Sequence, residues 1–168
     1  MFQGAAALNL DAKGRLAVPS RHRESLAAAA NGTLVLTAHP HRCLLLYPLP
    51  AWEPIRDKVL AAPSLEQQSA YLKRLLVGFA REEEMDAAGR LLIAPELRQY
   101  AGLEKEVWLV GQGNHFELWS DAGWKQQQEA IFALGDKLLP PGLETLTLVV
   151  KQCSTRRCCW RRRSTPWR

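Results

Sequence analysis

Nothing in the chain announces covalent chemistry. Three of its four cysteines stand at positions 153, 158 and 159, which leaves Cys43 alone in the first 150 residues, and a disulfide framework is not expected. Cys43 falls in the apolar run Cys43-Leu44-Leu45-Leu46-Tyr47 and reads as core. His39 and His41 share one face if their loop is extended, but no cysteine or carboxylate stands near at ligand spacing. His22 and His115 are isolated, so no metal site is expected. A Gly-rich phosphate loop, a nucleophile elbow and a Cys–His signature are all missing. Catalysis, a cofactor and a small-molecule substrate are therefore not expected. No apolar run reaches the roughly 18 residues of a membrane-spanning helix. Met1-Phe2-Gln3-Gly4 has neither a basic leader nor an apolar signal core, and the reading is a soluble cytoplasmic protein with no membrane contact.

What is present suits one ordinary domain or two small halves sharing a core: 168 residues, 47% of them hydrophobic. The net charge of +5 conceals an uneven distribution. Residues 151–168 carry seven basic side chains and no acid, so the first 150 hold 15 basic against 17 acidic. Residues 1–50 have Lys13, Arg15, Arg21, Arg23 and Arg42 against Asp11 and Glu24, whereas residues 76–124 have four basic and nine acidic. Opposite charge on two parts of one chain attracts copies head to tail, and such a contact closes into a ring or runs on as a fibre. The basic part is the one suited to a polyanion. The run Glu82-Glu83-Glu84 reads as a solvated strand edge or an interface.

The chain also repeats itself. Asn9-Leu10-Asp11-Ala12-Lys13-Gly14-Arg15-Leu16-Ala17-Val18-Pro19 is echoed by Glu84-Met85-Asp86-Ala87-Ala88-Gly89-Arg90-Leu91-Leu92-Ile93-Ala94-Pro95, an offset of about 75 that Arg23 and Arg98 keep. Leu44, Leu46, Tyr47 and Trp52 answer Phe116, Leu118, Trp119 and Trp124 at an offset of about 72. Each copy spans roughly 45 residues. Residues 5–11 and 15–18 predict a hairpin about Ala12-Lys13-Gly14, and Ser20 caps a helix to residue 30. Residues 33–38 and 43–48 predict a second strand pair. Residues 50–60 predict a helix limited by Pro54, and Ser64-Leu65-Glu66-Gln67 a capping-box start. That second helix would bury Leu65, Tyr71, Leu72, Leu75 and Leu76 on one face. The second copy predicts strands over 82–86, 90–93, 106–111 and 115–119, with a helix over 95–100. A last helix, capped by Asp121 and ended by Gly135, points Trp124, Ile131 and Phe132 one way. Short strands cannot bury both faces alone, so the copies are expected to interleave about a pseudo-two-fold axis as a small closed or nearly closed β structure with helices outside.

The organisation expected is a first repeat over 1–50, linker helices over 51–77, a second repeat with its helix over 78–134, and an atypical basic tail over 135–168. The tail, with Pro140-Pro141-Gly142 and the basic run from Arg156, reads as a disordered extension or a frameshifted terminus. Its arginines and tryptophans leave nucleic-acid binding open as a second reading.

The repeated motif suits one chemistry. Asp11 and Arg15 stand four apart across a tight turn, where the carboxylate can bridge to the arginine or to the loop amides. An arginine aimed this way fits bidentate contact with a guanine edge, and Lys13 at the tip fits a phosphate. Turn staples with no ligand explain the residues equally well. Paired acid catalysis by Asp11 and Asp86 does not fit, because an arginine beside each would favour the ionised form of both.

The opening Met-Phe-x-Gly, the two Asp-x-x-Gly-Arg-Leu hairpins, Leu45-Leu46-Tyr47-Pro48 and Leu91-Leu92-Ile93-Ala94-Pro95-Glu96-Leu97-Arg98 resemble the MraZ family over roughly residues 1–134. These are bacterial regulators at the head of the division and cell wall gene cluster, related to the AbrB-type swapped-hairpin DNA binders. The resemblance implies an α+β, mainly β fold, an internally duplicated swapped-hairpin barrel with peripheral helices. It implies a ring-like homo-oligomer on direct repeats of double-stranded promoter DNA, as an autorepressor at the nucleoid. Carried onto this chain, it makes Lys13, Arg15 and Arg90 DNA-contacting and Asp11, Gly14, Asp86 and Gly89 motif-organising. Arg21 and Arg23 are phosphate candidates on charge alone. Ala88 replaces Lys13 in the second hairpin, so the first is expected to dominate binding. The alternative is a structural ring without a nucleic-acid role.

Overall fold

Each copy supplies one long hairpin, because in each a run of apolar, β-prone residues is interrupted by a short polar turn. In the computed structural model, which describes residues 1–30, 32–63 and 65–134, the first copy forms β1 (Ala5–Asn9), β2 (Arg15–Ala17), α1 (Ser20–Ala30), β3 (Thr33–His39), β4 (Cys43–Pro48) and α2 (Leu49–Ala61). After α3 (Gln67–Leu76), the second copy repeats the order as β5 (Arg81–Glu84), β6 (Arg90–Leu92), α4 (Pro95–Ala101), β7 (Glu106–Gly111), β8 (Phe116–Ser120) and α5 (Asp121–Leu134). The fold is α+β and internally duplicated. The expectations for the tail over 135–168 lie outside the described residues.

The hairpins β3–β4 and β7–β8 join edge to edge through β4 and β8, with Leu44 opposite Leu118 and Leu46 opposite Phe116. The first strand of each copy then crosses to the other copy's hairpin. β1 lies on β7, with Ala7 opposite Trp108, and β5 lies on β3, with Glu82 opposite Val35. The result is one antiparallel sheet in the order β1-β7-β8-β4-β3-β5. Both pairings keep the repeat offset, so the copies interleave about a pseudo-two-fold axis, as the duplication predicts. Glu82, Glu83 and Glu84 lie on β5 at the edge of the sheet, where charge keeps the unpaired backbone from recruiting further strands.

One expectation needs correcting. β1 and β2 are not the two arms of one ladder. Only the turn and a single Leu10–Leu16 bridge join them, while β2 pairs with β6 in a separate two-stranded ribbon. The ribbon buries Leu16 and Leu91, and just beyond it Val18 and Ile93 are buried too. By pairing with its own counterpart, β2 satisfies its backbone while its leucine enters the shared core.

That core lies between the ribbon, α1, α4 and one face of the sheet, and includes Leu26, Leu34, Leu36, Leu97, Leu109 and Phe116. The other face is covered by Trp52 of α2 over Val35, Leu45 and Tyr47, and by Trp124 of α5 over Cys43, Val110 and Trp119. Covered on both sides, β4 has all six residues buried. Burial pushes the Cys43 thiol up to about 12, so this is an inert core cysteine.

The helices depart from expectation in detail. α2 continues through Pro54, which lies in its second turn and forgoes one helical N–H bond, while Trp52 and Val59 of the same helix are buried. α3 starts at Gln67 with Glu66 as its N-cap, two residues later than predicted, and Ser64 lies outside the described residues. No residue of α3 is fully buried: Leu75 and Leu76 turn inward, but Tyr71 is 56% exposed and Leu65 and Leu72 also face out. The helix is moored by its end, where the buried Thr37 Oγ1 donates to the Leu76 carbonyl at 2.5 Å. In α5, Ser120 and not Asp121 provides the cap, its Oγ accepting the Gly123 N–H at 3.1 Å. Asp121 instead pairs with Lys125 at 2.6 Å and accepts from Trp108 Nε1 at 3.1 Å. Trp124 packs on Trp108 and Trp119, but Ile131 and Phe132 extend past them and are exposed. Gly135 lies outside the described residues.

The mooring of α3 is testable. Thr37→Val removes a buried donor and leaves a carbonyl without its partner, a loss of about 1–3 kcal/mol read as a lower urea midpoint. Tyr71→Ala on the exposed face should change it by less than about 0.5 kcal/mol.

Candidate nucleic-acid interface

The two Asp-x-x-Gly-Arg turns fold identically. Asp11 Oδ1 accepts the backbone N–H groups of Lys13 and Arg15, both at 2.9 Å, and Oδ2 accepts from Arg15 Nε at 2.7 Å. Asp86 repeats this with Ala88, Arg90 and Arg90 Nε at 2.9, 2.9 and 2.8 Å. Each carboxylate thus closes its turn and grips its arginine. The Arg15 N–H, more than any other group, holds the Asp11 carboxyl below its usual range, and the Arg90 N–H does the same for Asp86. Both stay ionised, as the sequence argues against acid catalysis.

The grip also selects which edge of the guanidinium is offered. Nε is committed to the carboxylate, and among the described residues the Nη groups of Arg15 and Arg90 make no hydrogen bond. Their two Nη nitrogens remain for a bidentate acceptor outside the chain.

The ribbon sets the spacing of these arginines. Arg15 stands opposite Leu92, Leu16 opposite Leu91, and Ala17 opposite Arg90. Because Leu16 and Leu91 face the core, strand alternation turns Arg15, Leu92, Ala17 and Arg90 outward together. Two stapled arginines therefore occupy diagonal corners of one surface, with Lys13 exposed at one tip and Ala88 at the other.

Arg23 and Arg98 hold the turns in place. Gly14 and Gly89 are buried, at φ +77° and +72°, and a Cβ on Gly14 would meet the Arg98 guanidinium while one on Gly89 would meet that of Arg23. Arg98 Nε donates to the Ile93 carbonyl at 3.0 Å and Arg23 Nε to that of Val18 at 2.7 Å. In return the Val18 N–H donates to Gly89 and the Ile93 N–H to Gly14. Each copy's helix arginine therefore covers the other copy's turn. The recurrence of Arg23 and Arg98 signals this pair, but sequence reasoning assigned Arg98 no role and missed Leu92 and Ala17 as members of the surface. Arg21 lies elsewhere, its Nε donating to His22 and its guanidinium near Gly4, at the far end of β1 from the first turn.

Two outcomes follow. Gly14→Ala should cost about 1–3 kcal/mol in chemical denaturation, and adding Arg98→Ala should recover only the crowding and not the backbone strain. Since the folded pKa values of Asp11 and Asp86 lie below the ordinary 3.8, their contribution is complete above that value and is lost as pH falls through the folded ones. The Asp11→Asn, Asp86→Asn double variant should start less stable and show a shallower acid limb in a stability–pH curve.

The sequence matches the model of the family described as "MraZ protein, putative antitoxin-like" twice, over residues 1–75 and 76–135. Among similar proteins, the Transcriptional regulator MraZ of Dechloromonas aromatica is 66% identical over 148 residues, 88% of this chain and 100% of that protein. The proteins of the same name from Azoarcus sp. strain BH72 and Aromatoleum aromaticum are 64% and 65% identical over the same shares. With both repeats matched and relatives of this identity aligned along their whole length, the chain belongs to the MraZ family.

Proposed function

We propose that the chain is a sequence-specific DNA-binding transcriptional regulator. It acts as an autorepressor of the bacterial division and cell wall gene cluster, bound to direct repeats in its promoter as a ring-like homo-oligomer. The observation that carries this reading is the pair of stapled arginines on one outward face of a two-stranded ribbon. A ribbon of that width enters the major groove, and an arginine offering two nitrogens matches the O6 and N7 acceptors of guanine. Lys13 supplies phosphate contact at the first tip, which therefore dominates. Arg23 serves by positioning the second turn, and Arg21 adds positive charge at a distance. The names of the relatives agree with a regulator.

Assembly draws support from the opposite charge of the two copies and from the exposed apolar residues of α3 and α5. One ribbon buries little surface, but several on a ring meeting spaced repeats gain by effective concentration, and a bound ring excludes polymerase. Binding to DNA would place the protein on the nucleoid in the cytoplasm. No helix among the described residues is long and apolar enough to cross a membrane.

Fluorescence anisotropy on DNA from upstream of the protein's own gene, against scrambled DNA, tests the reading. Arg15→Ala should lose about 10-fold or more in preference for the native repeats, within the range of one bidentate contact, with assembly unchanged by light scattering. Affinity of the parent should fall steeply with salt. Lost assembly without any effect on DNA binding would favour the structural ring.

A further inference from the structure

We propose that Leu92 is a specificity-determining residue that reads the 5-methyl group of a thymine beside the guanine contacted by Arg15. This rests on the DNA-binding reading of the ribbon. Leu92 is 44% exposed, and among the described residues it is the only large hydrophobic exposed on a strand; the others lie on helices, in a loop or at the terminus. The ribbon buries its leucines inward at Leu16 and Leu91, so Leu92 adds nothing to that core.

Position supplies the reason for an outward leucine. Leu92 stands directly opposite Arg15, and such cross-strand neighbours have Cβ atoms about 4.5–5.5 Å apart. Successive base pairs rise about 3.4 Å, so an arginine on one pair brings its cross-strand neighbour over the next. The major groove offers donors, acceptors and one apolar group, the thymine methyl. A leucine pressed against any other base edge or a phosphate would desolvate a polar group with no return. The methyl is the ligand its chemistry fits.

The two ends of the ribbon are not equivalent in this respect. The repeat places Ala17 where the second copy has Leu92, and Ala17 stands opposite Arg90. A methyl side chain reaches less far into the groove. One reading end therefore combines Lys13 and Arg15 of the first copy with Leu92 of the second, and the other has Arg90 with only Ala17 and Ala88. The stronger end is assembled from both copies.

The test uses the full chain in fluorescence anisotropy on the native upstream duplex and on the same duplex with deoxyuridine for thymidine within the repeats. That exchange removes only the methyl. The parent should bind the thymidine duplex about fourfold more tightly for each methyl contacted. Leu92→Ala should bind the two duplexes equally, keep its preference over scrambled DNA and keep its assembly size, while Ala17→Leu should increase the discrimination. Equal binding of both duplexes by the parent, with the preference over scrambled DNA intact, overturns the role of Leu92 and leaves the DNA-binding reading standing. Loss of assembly in Leu92→Ala with the methyl preference retained also overturns it, making Leu92 a contact between copies. If the parent does not prefer native over scrambled DNA, the underlying reading falls and this inference with it.

Discussion

The short pairing of β2 with β6 is the constraint on which the outward arginine surface depends. It is only three residues long, and its middle pair, Leu16 with Leu91, lies where the pseudo-two-fold axis must pass. A two-stranded ribbon of that length is not stable alone in water. It persists because both leucines are buried and because Val18 and Ile93 reach across to donate to Gly89 and Gly14. The arginines that cover those glycines tie the turns to α1 and α4. The outward face inherits its rigidity from the core beneath it, and Arg15 and Arg90 are held at a spacing that solvent-exposed loops could not keep.

Electrostatics completes the arrangement. A guanidinium left alone on a strand would sample many rotamers, each lost on binding. Commitment of Nε to an aspartate held by two backbone N–H groups removes much of that freedom before any ligand arrives. The same carboxylate partly neutralises the arginine's charge, so the surface is defined by geometry more than by net positive charge. Lys13 restores positive charge at one tip only.

Much of this was legible in the chain. The offset of about 75 identifies both turns, and the Asp–Arg spacing predicts the staple. The hairpin residues and most helix positions could be read from periodicity and turn chemistry. Three things could not. Strand partners were hidden, because β1 and β2 are adjacent in sequence and only the burial demands of Leu16 and Leu91 send them to different sheets. The exposure of Tyr71 and Leu72 was hidden because leucine spacing marks an apolar stripe without saying whether anything covers it. Cap positions failed by a residue or two where several polar residues competed, as Ser120 and Asp121 did. For the interface itself, Leu92 carried no signal in a linear reading, since its relevance comes from facing Arg15 across a ribbon.

The exchange of β1 and β5 between the two hairpins carries a further meaning. Were the copies separate molecules, each core would exist only when two had met, and any change on one side would appear on both. Covalent linkage makes the core form at any dilution and frees the two sides to drift apart. That drift is visible in Lys13 against Ala88, in Ala17 against Leu92, and in the acidic β5 against the apolar β1. A lopsided outward surface on an almost symmetric frame gives the ribbon two distinguishable ends, which a strict two-fold dimer, looking the same from both ends, cannot have.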